Sequence, residues 1–236
     1  MPDDGLVIEN TSKLFASFAA LQSVHLRIER GQFILLAGAN GAGKSTLLRI
    51  MAGISRPSSG RVLIDGKDPQ RDATARSAIG FLSHHTLLYD DLSAEENLGF
   101  FARIYALKNP QKKIDEALKQ VGLSSHRHRR LRTFSRGMRQ RLALARATLH
   151  QPVILLLDEP FTGLDQPART ALSEQLCELK QAGHTCIMVT HNPEEGAPLA
   201  NRLVVLRKGC LCHDQAWEGS AADLSATCAP FWDGLR

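Results

Sequence analysis

Short apolar runs alternate with longer stretches of helical spacing along this chain. The runs are Leu6-Val7-Ile8, Val24–Ile28, Phe33–Ala37, Val62–Ile64, Val153–Leu157, Cys186–Val189 and Leu203–Leu206. Phe33–Ala37, Val153–Leu157 and Cys186–Val189 are continuously apolar, the pattern of strands buried on both faces of a parallel sheet. Val24-His25-Leu26-Arg27-Ile28 alternates instead, which predicts a half-exposed antiparallel strand. Between the runs, Ser45–Ala52 closes at Gly53 and Ala168–Ala182 closes at Gly183, two helical patterns ending on a glycine. Leu172, Leu176 and Leu179 fall on one side of the second. Strand–helix alternation of this kind predicts an α/β fold.

Residues 87–150 carry no strand pattern. Ser93–Ala106 and Pro110–Val121 read as helices, the first opening on Ser93-Ala94-Glu95-Glu96. Ser135 is placed to cap a third, which stops before Pro152. The expected organisation is a single domain over 1–236. Its core comes from 1–86 and 151–236, with a small antiparallel β part and a helical insertion over about 87–150.

Composition narrows the class only a little. The chain has 236 residues, 43% hydrophobic and 22% charged, enough to bury a real core. No uncharged apolar run approaches the roughly 20 residues that span a bilayer. The start, MPDDGLVIEN, is acidic and lacks a leader pattern. The expectation is a chain that stays in the cytoplasm unless a partner ties it to a membrane. A net charge of +5 suits an anionic membrane or a polyanionic ligand without choosing between them. Five cysteines (177, 186, 210, 212 and 228) form no disulfide framework. Cys210 and Cys212 have no second ligand cluster nearby, so they read as small residues on one strand face rather than a metal site.

Candidate chemistry starts at GANGAGKST, residues 38–46, directly after an apolar run and before a helical one. This is the phosphate-binding loop pattern in its required context. Glycines let successive N–H groups point inward at an anion, and the helix start adds its positive end. Lys44 reaches the β- and γ-phosphates and Ser45 ligates Mg²⁺; the bland alternative is a flexible glycine turn. Val153–Leu157 ends in Asp158 and Glu159. Adjacent residues at a strand end point to different sides, so Asp158 suits a magnesium shell and Glu159 suits orienting water. Alone, the pair also reads as a solvated turn. Phe134-Ser135-Arg136-Gly137-Met138 opens the capped helix. It reads either as an ordinary helix start or as a second phosphate-facing surface.

In this order the motifs resemble the nucleotide-binding cassette of ABC transporters, over residues 5–215. GANGAGKST is similar to that family's Walker A, Phe134–Met138 to its signature, and Leu155–Pro160 to its Walker B. Phe161-Thr162-Gly163-Leu164-Asp165 resembles its D-loop, and Val189-Thr190-His191 its switch-histidine strand end. The resemblance implies a P-loop NTPase core of RecA-like type, ATP and Mg²⁺ as cofactors, and two cassettes paired head to tail. By it, Gly38, Ala39, Asn40, Gly41, Ala42, Gly43, Lys44, Ser45 and Thr46 hold ATP, and Phe15 stacks on the adenine. Ser135 and Gly137 of the other copy close over the γ-phosphate. Lys44, Glu159 and His191 are the implied catalytic residues, Asp165 links the two sites, and Ser45 and Asp158 are metal residues. A lone His191 would more often be a satisfied surface histidine; the family order is what gives it a role.

Two departures stand out. His84, in Ile79-Gly80-Phe81-Leu82-Ser83-His84-His85, falls where the family has its Q-loop glutamine. Either it touches the metal's water shell or the partner, or it only faces solvent. Arg136 and Met138 stand where glycine and glutamine are usual in the signature. The text around His84 and the signature resembles the heme-exporter ATP-binding branch of cytochrome c biogenesis, CcmA and close relatives. That branch implies an ATPase powering export through integral membrane subunits. It would pair with its own copy or a homologous cassette on the cytoplasmic face of the inner membrane. Other exporters (drug, lipid or polysaccharide), a non-transport ATP switch and a small-molecule phosphotransferase are the other readings. His126–Arg132 is basic but lacks interleaved aromatics, so it reads as a solvated face and no nucleic acid is expected.

Overall fold

The computed structural model describes residues 4–83, 86–190 and 193–231. In chain order its strands are β1 (Asp4–Phe15), β2 (Phe18–Glu29), β3 (Phe33–Ala37), β4 (Ser59–Ile64), β5 (Ile79–Leu82), β6 (Ile154–Asp158), β7 (Thr185–Val189), β8 (Arg202–Arg207) and β9 (Cys210–Ala216). The helices are α1 (Lys44–Met51), α2 (Ala73–Ser77), α3 (Ala94–Ile104), α4 (Pro110–Gln120), α5 (Arg136–Thr148), α6 (Gln166–Gln181), α7 (Pro193–Gly196) and α8 (Ala221–Cys228). The fold is α/β, as the alternation of strands and helices requires.

A six-stranded sheet runs in the order β5-β6-β7-β3-β8-β9. All its pairings are parallel except β8–β9. The continuously apolar runs lie at its centre: β3, β6 and β7 are buried at every position. Val153 stays outside β6 and is 38% exposed, while Asp158 completes the strand. A three-stranded antiparallel sheet, β2-β1-β4, lies beside it. Val24, Leu26 and Ile28 of β2 point inward, and His25 and Arg27 outward. One apolar cluster joins both sheets through Leu6, Ile8, Leu26, Ile34, Leu36, Leu47 and Leu156. A second covers the other face of the large sheet with Ala143 and Leu144 of α5, Leu172 and Leu176 of α6, and Leu224 of α8.

Helices α3, α4 and α5 share a third cluster, built on Leu98, Ile114, Leu118, Leu131 and Leu142. Ser93 and Glu96 close a capping box at the start of α3. Part of the basic run is paired in place. Arg127 pairs with Glu95 and Asp115, and Arg132 faces Asp91. Hydrogen bonding from Arg127 holds the Glu95 carboxyl down at about 2. Arg146, buried in α5, donates to Phe81 O at 2.6 Å and lies over the Phe101 ring, fastening these helices to the end of β5.

Cys210 and Cys212 sit exposed on the edge strand β9, and all five cysteines are free thiols. Among the described residues no helix is long and apolar enough to cross a membrane. No cluster of metal-binding side chains of three or more is found among them either.

Candidate active site

The loop 38–43 leaves the end of β3 and turns into α1 at Lys44. Its glycines are needed as glycines at two points. Gly38 has φ of +147°, and a Cβ there would strike the Leu206 carbonyl. Gly43 has φ of +104°, and a Cβ would come within 2.8 Å of Leu21 Cδ2 and collide with Ala20 O. The loop is braced from outside: Gly209, in the β8–β9 turn, donates to Ala42 O at 3.0 Å and accepts from Gln22 N at 2.8 Å.

Lys44 is 7% exposed, and its Nζ donates to Gly38 O at 2.7 Å and Ala39 O at 2.9 Å. Burial pushes its pKa below the usual lysine range, opposed by the Glu159 and Asp158 carboxylates. Ser45 Oγ donates to Asp158 Oδ1 at 2.9 Å. Asp158 ends the central strand β6 and is 2% exposed. Glu159 follows with φ of +55°, a left-handed conformation that turns it away from Asp158's direction. Its N–H donates to Val189 O at 2.9 Å.

A cleft of about 310 Å³ opens over these residues. Its walls are Phe15, Phe18, Ala20, residues 40–46 and Glu159. Phe15 and Phe18 are 51% and 60% exposed at the tip of the β1–β2 hairpin. The sequence singled out Phe15 alone. Phe18 was legible only through its place three residues on, across the tight turn that pairs the two. The structure therefore brings Phe15, Asn40, Gly41, Ala42, Gly43, Lys44, Ser45, Thr46 and Glu159 to one cleft, with Asp158 behind Ser45 and Gly38 and Ala39 beneath Lys44. His84 and His191 lie outside the described residues.

Ser135, Gly137 and Asp165 do not line this cleft. Ser135 caps α5, accepting from Met138 N at 3.2 Å. Gly137 lies so close to α6 that a Cβ would come within 2.7 Å of Ala168 Cβ. Asp165 caps α6, accepting from Ala168 N at 3.1 Å, which starts that helix at Gln166 rather than Ala168.

Residues 21–162, more than half of the chain, match the profile of the family described as ABC transporter. The chain belongs to the ABC transporter family. It is 40% identical over 210 residues to the sulfate/thiosulfate import ATP-binding protein CysA of Thermosynechococcus vestitus, covering 87% of this chain and 62% of that one. It is 39% identical to the probable sulfate/thiosulfate import ATP-binding protein CysA of Chlorella vulgaris, over 93% of each. The ABC transporter chain thus spans about 60% of the length of several curated relatives it matches. A solved ATP-binding cassette, a dimer in a post-hydrolysis state with ADP and Pi, superposes with a TM-score of 0.80 at 28% identity. It covers 91% of this chain and 99% of that one.

These relatives correct one expectation from the sequence. The names they carry are those of importers, which overturns the reading as an exporter and as a heme-exporting, CcmA-like subunit of cytochrome c biogenesis. The error has a physical source. That reading leaned on two short stretches, around His84 and at the signature, while identity spread over the whole cassette points elsewhere.

Proposed function

We propose that this chain is the ATP-hydrolysing subunit of an ABC importer, working as a pair of cassettes on membrane-embedded partners. The observation that carries the reading is the joint placement of Lys44, Ser45, Asp158 and Glu159 at one end of the parallel sheet, beside an open cleft. Loop amides and Lys44 hold the phosphates. Phe15 and Phe18 offer ring faces to the adenine. Glu159 takes a proton from water as the water oxygen attacks the terminal phosphorus. The bond to the β-phosphate oxygen breaks, leaving ADP and phosphate.

Mg²⁺ fits the donor set: a serine hydroxyl and a nearly buried carboxylate, both hard oxygens, already meet at 2.9 Å. Ser45 and Asp158 would hold the ion. When bound it neutralises charge on the phosphates. The paired arrangement is supported by the dimeric cassette relative and by the absence of Ser135, Gly137 and Asp165 from the chain's own cleft. In the pair, Ser135 and Gly137 face the nucleotide of the other copy, and the helical part over about 87–150 works as a subdomain against the membrane partner. His191 and His84 complete the site in this reading, and the chain works on the cytoplasmic face of the membrane. Import of an inorganic oxyanion of the sulfate or thiosulfate kind rests on the relatives' names.

The test is Glu159→Gln. Turnover falls on the order of 10²–10⁴-fold, while ATP still binds and drives the chain to a dimer on size exclusion. Full turnover by a permanently monomeric Glu159→Gln protein would refute the reading. Loss of labelled sulfate uptake on deleting the gene checks the cargo.

A further inference from the structure

Arg136 has no place in the mechanism so far, yet its surroundings are unusual. Its near neighbours Arg127, Arg132 and Arg139 each face a carboxylate, and Arg169 faces Glu195. No such partner meets Arg136 among the described residues; its guanidinium instead lies on the backbone of Gly163. Any Cβ at position 163 would collide with the guanidinium carbon and both terminal nitrogens. Gly163 also takes φ of +71°, so the backbone favours glycine there independently of the arginine that its bare surface admits.

Gly163 belongs to the turn that runs from Glu159 to Asp165. Thr162 N donates to Glu159 O at 3.2 Å and Leu164 N to Phe161 O at 3.1 Å, which makes the turn one hydrogen-bonded unit. Phe161 and Leu164 root it in the core. Helix α5 grips this turn a second time. Gln140, four residues after Arg136 and so on the same helix face, donates to Pro160 O at 2.7 Å and is 8% exposed. Between the two, Gly137 lies against Ala168 of α6. One face of the signature helix therefore holds the segment that carries Glu159 in the same chain.

We propose that Arg136 is a positioning residue for ATP hydrolysis: seated on Gly163, it ties the signature turn to the turn bearing Glu159 and Asp165. The inference rests on the functional reading above. In a pair of cassettes the signature of one copy meets the nucleotide of the other. Movement of that signature is passed through Arg136 to Glu159 of its own chain, so the two sites respond together. A guanidinium suits this task because it is a flat plate that covers a glycine; an ammonium is a compact charge that does not.

The test compares the purified chain with Arg136→Ala, Arg136→Lys, Gly163→Ala and the double variant Arg136→Ala/Gly163→Ala. ATP turnover is measured across ATP concentration. Arg136→Ala lowers kcat about tenfold, within the usual span of site-to-site coupling, while KM stays within about twofold. Any sigmoid dependence on ATP in the parent becomes hyperbolic. Arg136→Lys does not restore kcat. Gly163→Ala displaces the guanidinium and gives the same defect, and the double variant is no worse than the poorer single. Parental kcat in Arg136→Ala overturns the proposal. So does full rescue by lysine, which would make charge alone the requirement, or additive losses in the double variant. Should Gly163→Ala fail to fold, the two Arg136 variants decide alone. A parent chain without ATP turnover defeats the functional reading itself, whereas an active parent with an equally active Arg136→Ala defeats only this inference.

Discussion

The glycine loop and the signature turn both open onto a helix start, yet they are finished to different degrees. Around the loop, every polar group that matters already has its place within the chain: Lys44 on two carbonyls, Ser45 on Asp158, Ala42 on Gly209. The signature turn is exposed, and its serine does no more than cap its own helix. The contrast teaches that a strand-borne half of a site is organised by the core beneath it. The helix-borne half is shaped by caps and takes its chemical meaning from a surface outside its own cleft.

The contrast breaks most severely at Gly43. Gly43→Ala forces a side chain into a left-handed position against Ala20 and Leu21, and is expected to cost about 3 kcal/mol in urea unfolding. Nucleotide binding goes with it. Lys44→Ala comes next. Removing a charge-assisted contact weakens ATP binding about 10- to 100-fold by calorimetry, with little change in melting temperature, because a desolvated cation is removed along with its bonds. Ser135→Ala sharpens the other side. Loss of the cap costs about 1 kcal/mol of stability, ATP affinity of the single chain stays unchanged, and ATP-driven dimerisation weakens.

The smallest effect concerns the helices that carry the signature. Glu95 is held at about 2 in the folded chain, against an ordinary 4.5. A lowered folded-state value stabilises above the ordinary one and is lost as the carboxyl is protonated. The stability gap between parent and Glu95→Gln should therefore be full at pH 6 and close as pH falls from about 4.5 toward 2. Equal gaps at pH 6 and pH 2.5 would remove Glu95 from the account.

Much of this was legible in the sequence because it depends on local pattern. Unbroken apolar runs mark β3 and β7, and the capped Ser93-Ala94-Glu95-Glu96 marks α3. β5 leaves no apolar run in the pattern, since it has four residues and a glycine in its middle. That glycine is required: a Cβ at Gly80 would come within 2.6 Å of Leu155 Cδ2. Of strand β9 only the Cys210–Cys212 stretch is legible, because the rest of this edge strand is polar and alternation there has no core to record. α6 starts two residues ahead of the apolar spacing that marks it, because Asp165 caps it from outside that pattern. The contacts Arg136–Gly163 and Gln140–Pro160 join positions far apart along the chain. No periodicity encodes such a meeting; it follows from how α5 and the strand-end turn pack.

The brace at Gly209 also sets a schedule for synthesis. The loop at 38–46 leaves the ribosome well before residue 209, in the turn that holds it, has been made. A nascent chain lacking β8 and β9 carries the glycine loop without its outer support. The full grip on a nucleotide thus waits for β8 and β9, and the hairpin tip at 209 is a poor place to splice in a tag.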